Sequence, residues 1–147
     1  MNAIDLLTVT ATLLTAILLG SMTFFSLVMA PLIFIKLELK TAGQFVRAVF
    51  PWYYLAICLL AGLAGLLMLA ALPVNGAVLL LVAAAALYCR ASLTPQINRY
   101  RDQSLAGDQR AEVVFNRLHR VSEGINVLQL LAVFGVLLHL SLFIELP

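Results

Sequence analysis

The sequence predicts an all-α fold, an integral membrane four-helix bundle with a short cytoplasmic amphipathic helix before the last span. Three observations point to it. Hydrophobic residues make up 63% of the 147 residues and charged residues only 11%, whereas a soluble globule carries about 25% charged residues. The mean hydropathy is +1.05, and the apolar residues gather into four runs of spanning character. All nine Lys and Arg fall in two of the five segments outside those runs or, for Arg90, at the adjoining end of the third run.

That distribution sets the expected topology. Lys36, Lys40 and Arg47 follow the first run, Arg90 lies near the end of the third, and Arg99, Arg101, Arg110, Arg117 and Arg120 lie between the third and the fourth. In a chain that crosses four times, both segments emerge on one side, and an excess of basic residues in short loops marks the cytoplasmic face. The expected location is the cell's inner (plasma) membrane, multi-pass, with both termini on the non-cytoplasmic side. The nine basic residues face five acids, Glu38, Asp102, Asp108, Glu112 and Glu123, and the opposite side has only Asp5 and Glu145. The basic side suits anionic lipid headgroups, at about 1 kcal/mol per well-placed cation. It does not suit nucleic acid, because the arginines alternate with acids instead of forming one stripe.

The chain reads as a single domain, 1–147, with spans at about 6–35, 50–72, 77–94 and 122–144. The first run has no charge from Leu6 to Ile35. About 30 helical residues would reach roughly 45 Å, beyond the ~30 Å hydrocarbon core, so a tilt or a break near Pro31 is expected. With no basic residue before it, and too long for a signal h-region, the run reads as a span rather than a cleaved signal. The second span opens on Phe50-Pro51-Trp52-Tyr53-Tyr54, with proline suited to a first helical turn and Trp and Tyr to the headgroup boundary. Pro73-Val74-Asn75-Gly76 closes a tight hairpin, and the third span is expected to end near Pro95. The polar segment Thr94 to Val121 is too long for a bare connector. Its Ala111–Arg120 part places Val114, Phe115 and Leu118 on one face, as an amphipathic helix entering the fourth span would.

Small residues recur every fourth position, at Thr8, Thr12, Ala16 and Gly20 in the first span. Ala61 and Gly65 do so in the second, with Cys58 and Gly62 beside them. Such stripes are expected to be packing seams, where helix backbones approach closely.

The residues that could carry chemistry sit late in the chain. On a helix, His119, Ser122 and Asn126 fall at i, i+3 and i+7, with Gln129 extending the same face. Polar groups are expensive at membrane depth unless paired, so this face should point into the bundle. Asn98, Arg101 and Asp102 follow Pro95 at the same end. The candidate site is therefore a cytoplasmic-side cluster of Asn98, Arg101, Asp102, His119, Ser122 and Asn126, with His119 and Asn98 in one network. It reads either as a structural tie between the third and fourth helices or as a ligand or ion site. His139 reads as a surface residue near the far interface.

Metal chemistry has thin support. Cys58 and Cys89 lie toward the reducing side and read as free thiols. Together with Met22 and Met29, seven residues apart on the first helix, they would suit Cu(I). These four and His119 are the metal candidates, without any CxxC, HxxxH or HExxH pattern. No cofactor is predicted. No phosphate-cradling glycine loop or G-x-S-x-G is present and no acid pair lies within a span, so the reading leans away from an enzyme.

Several fragments occur together: Gly20-x3-Phe24, Pro31-x2-Phe34, Ala42-Gly43-x6-Phe50-Pro51-x2-Tyr54, Pro95-x-Ile97-Asn98-x2-Arg101-Asp102 and Phe115-x2-Leu118-His119-x2-Ser122-x3-Asn126. This set, from Gly20 to Asn126, resembles the transmembrane-protein-205-like family, four-span membrane proteins of unknown function. The resemblance implies the four-helix fold and no particular activity. More distantly, the layout is similar to copper-resistance and haem-associated four-helix membrane proteins, which present histidines from more than one helix. Here the first three spans have none.

The leading functional expectation is a small membrane protein whose polar cluster binds or passes a small ligand or ion, in metal or toxic-compound tolerance. The alternatives are an accessory or scaffold subunit that docks another membrane protein or a second copy, and a haem- or copper-binding redox protein.

Overall fold

A computed structural model describes residues 3–143, Phe143 by its backbone alone. Four helices, each long and apolar enough to cross a membrane, build the bundle: α1 (Ala3–Lys36), α2 (Leu39–Met68), α3 (Pro73–Leu105) and α4 (Gln109–Leu142). No strand occurs among the described residues. Large apolar side chains are exposed around the whole bundle: Leu13 and Ile17 on α1, Leu59 and Leu63 on α2, Leu81 and Leu87 on α3, Leu128 and Leu131 on α4. Such a girdle is stable only where the surrounding solvent is itself apolar. The protein is a multi-pass membrane protein.

The core is narrow. Leu18 and Met22 of α1, Tyr54, Ile57, Ala61 and Met68 of α2, Leu79, Val82, Ala86 and Cys89 of α3, and Val133, Val136 and Leu140 of α4 pack together. On α4 the buried positions Ser122, Gln129, Val133, Val136 and Leu140 advance mostly by three or four, the spacing of one helical face.

The prolines shape the helices differently from the sequence expectation. α1 does not break at Pro31. It passes through a π-helical turn, Phe25–Met29, and continues to Lys36. α3 does not end at Pro95 either, because a second π turn, Cys89–Leu93, precedes that proline and the helix runs on to Leu105. A proline lacks the N–H for its turn and its ring meets the carbonyl four residues back. A wide turn just upstream moves that carbonyl aside, so the helix survives. Pro51 lies inside α2, which starts eleven residues before the apolar run does.

The long polar segment resolves into the end of α3 and the start of α4. Between them Gly107 takes φ +98°, the left-handed conformation that ends helices. Asp108 then caps α4: its Oδ1 accepts hydrogen bonds from the backbone N–H groups of Arg110 (2.9 Å) and Ala111 (3.1 Å). The amphipathic segment is thus continuous with the fourth span.

One packing expectation is overturned. The buried face of α1 is Ala11, Thr15, Leu18 and Met22, and Ala16 and Gly20 are exposed. A Cβ on Gly20 would meet nothing within 4 Å. Larger apolar side chains won the interface because they bury more surface. The hydroxyls of Thr8 and Thr12 need no interhelical partner, because each bonds the carbonyl four residues back, at 2.9 and 2.8 Å. The α2 stripe does pack. Ala61 and Gly65 are buried, and Gly65 faces Gly76 of α3 backbone to backbone.

Candidate functional site

The site lies at the end of the bundle that carries the basic segments. The π turn of α1 presents Phe25 toward α2 and Ser26 toward α4, and the Phe25 and Tyr53 rings stack at 4.3 Å between centroids. Phe50 closes on both, edge-on to Phe25 at 5.6 Å and to Tyr53 at 5.9 Å. Tyr54 lies beside Tyr53, 5.5 Å away. Stacked and edge-to-face rings at such spacings attract beyond their buried area.

Polar groups of α4 enter this aromatic nest. The hydroxyls of Tyr54 and Ser122 share a hydrogen bond of 2.9 Å. The Asn126 Nδ2 donates to the Tyr53 hydroxyl at 3.0 Å. Its Oδ1 receives the hydroxyls of Ser26 and Tyr53, each at 3.4 Å, long for O–H···O bonds, which are usually 2.5–3.0 Å. One turn deeper, the Gln129 Nε2 donates to the Val82 carbonyl of α3 at 3.0 Å. The Gln129 Oε1 is buried without a hydrogen-bond partner among the described residues. A carbonyl can only accept, so the amide N–H must face Val82, and the oxygen is the atom left over.

The six residues picked from sequence do not form one network. Ser122 and Asn126 enter the interior as expected. His119 does not: its side chain is half exposed, its Nε2 lies 3.4 Å from the Glu123 carboxylate, and its ring stacks on Phe115 at 5.8 Å. Arg101 reaches the same ring, with its guanidinium carbon 5.0 Å from the centroid. Asp102 pairs with Arg47 of α2 at 2.8 and 3.3 Å, an exposed ion pair worth at most about 1 kcal/mol. Asn98 is half-buried, and no hydrogen bond joins it to His119 among the described residues. Helical phase explains the split. At its outer end the inward face of α4 carries Ala111 and Leu118, and His119, one residue on, is turned by about 100°.

Sequence reading missed Ser26, Tyr53 and Tyr54, which it assigned to a packed run or to the headgroup boundary. Their signal was available: two tyrosines and three prolines whose carbonyl ladders are interrupted at one end of the bundle. Arg90 donates its Nε to the Pro51 carbonyl at 3.1 Å and so ties the α3 π turn to α2. At the other end Asn75 Nδ2 lies 3.1 Å from Nδ1 of His139.

Of the metal candidates, Met22 and Cys89 are buried, Cys58 and Met29 half-buried and His119 exposed. Among the described residues no three His, Cys, Asp or Glu side chains gather as a metal-holding group.

A family model described as a domain of unknown function, DUF4149, matches residues 13–105. The chain belongs to this family. The DUF4149 match covers most of α1, all of α2 and all of α3, so Ser26, Tyr53 and Tyr54 lie within it and Ser122, Asn126 and Gln129 beyond it. No curated protein and no solved structure matched the chain.

Proposed function

We propose that this DUF4149 protein binds or passes a small ligand or ion at the cluster of Ser26, Tyr53, Ser122 and Asn126, and that this activity serves metal or toxic-compound tolerance. The carrying observation is the Asn126 carboxamide. It sits between three helices, half-buried, and its oxygen is met only by two hydroxyls at 3.4 Å. A purely structural tie would be expected to close to the 2.9 Å of the neighbouring Tyr54–Ser122 pair, since an imperfectly paired polar group is costly in a low-dielectric interior. The confinement of all nine basic residues to this end supports a cytoplasmic mouth in the plasma membrane, with both termini opposite. The motif resemblance to the transmembrane-protein-205-like family supports the four-span reading and leaves the ligand open.

Asn126→Leu and Tyr53→Phe test the proposal. Cells expressing either variant are challenged with metals and toxic compounds, and the purified proteins are melted in detergent. The expected result is lost tolerance, with Tyr53→Phe keeping its cooperative unfolding. Full tolerance in both variants would sink it.

A further inference from the structure

Gln129 is the buried polar side chain whose chemistry the fold does not use up. It is 4% exposed, its N–H is spent on the Val82 carbonyl, and its Oε1 has no partner among the described residues. An unpaired acceptor in an apolar interior is costly, and a ligand that supplies its partner removes that cost. Asn126, one turn away on the same helix, offers a second under-satisfied acceptor, with its oxygen contacts both at 3.4 Å. The Tyr53 hydroxyl, bonded to the same carboxamide at 3.0 Å, adds an oxygen beside it. The atoms left over are therefore oxygen lone pairs, and no carboxylate joins the cluster among the described residues.

Resting on the binding-site reading above, we infer that the ligand is a compact monovalent cation, a metal ion or a small protonated amine, bound through the Gln129 carboxamide oxygen, with the Asn126 oxygen one turn along α4 as the next acceptor on its path. Neutral oxygens replace part of a hydration shell without the grip of a carboxylate. Binding of that kind is weak enough to be reversed, as a passing ion requires. Arg47 at the mouth is matched by Asp102, which tempers the repulsion a cation meets on entry.

The test titrates the purified full chain in detergent with sodium, potassium, ammonium and methylammonium chlorides. Ionic strength is held with N-methyl-glucamine chloride, and the melting temperature is read. At least one compact cation should raise it saturably. Gln129→Leu should weaken the midpoint by about tenfold or more, the weight of one hydrogen bond to a charged partner. Gln129→Met replaces the leucine variant if that one does not fold. Equal melting in every chloride would overturn the inference, whatever the stability of Gln129→Leu. With the titration repeated in sulfates, a shift seen only in chloride and lost in Asn126→Leu would also overturn it, while leaving the binding site itself standing.

Discussion

The α2–α3 hairpin should be the least forgiving place in the bundle, and Gly76→Ala measures how unforgiving. A Cβ at residue 76 would lie 2.9 Å from the Gly65 carbonyl oxygen and 2.9 Å from the Leu69 backbone nitrogen. Ordinary contact for a Cβ begins near 3.4 Å, so each neighbour must retreat by about half an ångström. Both are backbone atoms, and they cannot swing away as the end of a side chain does. Overpacking of this kind costs roughly 1–3 kcal/mol. The alanine also gains about 1 kcal/mol of helix propensity over glycine, which would mask part of the loss. Gly20→Ala is the control: it gains the same propensity and its Cβ meets nothing within 4 Å. The difference between the two variants therefore isolates the clash, and Gly76→Ala should be less stable by about 1–3 kcal/mol. Gly62→Ala, with Ala83 Cβ at 3.8 Å, should behave like the control. Reversible unfolding in mixed micelles, titrated with a denaturing detergent, provides the comparison. Equal stability of Gly76→Ala and Gly20→Ala would refute the close approach of the two backbones.

Two further outcomes follow from the geometry. In a background lacking Cys58 and Cys89, Val74→Cys, at a position 73% exposed, should react with an impermeant thiol reagent in intact cells. Asp108→Cys should react only after permeabilisation, and the reverse pattern would invert the topology. Tyr54→Phe and Ser122→Ala should each cost about 1 kcal/mol. The double variant should cost little more than either one, because each single change already breaks the shared 2.9 Å bond; additive losses would show that the two hydroxyls act independently.

Composition and charge placement were enough to settle the class of protein. Four apolar runs leave helices as the economical way to satisfy backbone hydrogen bonds in lipid, and they reappear as α1 to α4. The amphipathic stretch before the last span was legible from the spacing of Val114, Phe115 and Leu118. The inward turn of Ser122 and Asn126 was legible from their period on α4, because a polar group in a lipid-facing span has nowhere else to go. The hairpin between α3 and α4 at Gly107 and Asp108 is not read from the sequence, where Thr94 to Val121 stands as one polar segment, and it is the positive φ of Gly107 that shows it.

Tertiary structure decided the rest. Prolines 31 and 95 look like helix ends in one dimension, yet a π turn before each carries the helix onward, and in α1 that turn presents Phe25 and Ser26 to the site. Tyr53 and Tyr54 look like interface anchors, and packing against α1 and α4 turns them into the hydrogen-bonding wall. His119 shares a helical face with Asn126 on paper, but the bundle's inward seam passes through Leu118, leaving the imidazole on the surface with Phe115 and Glu123. Periodicity says which residues share a face. Only the positions of the neighbouring helices say how far along its length that face stays covered, and so which polar atoms are buried, paired or, like the Gln129 oxygen, left over.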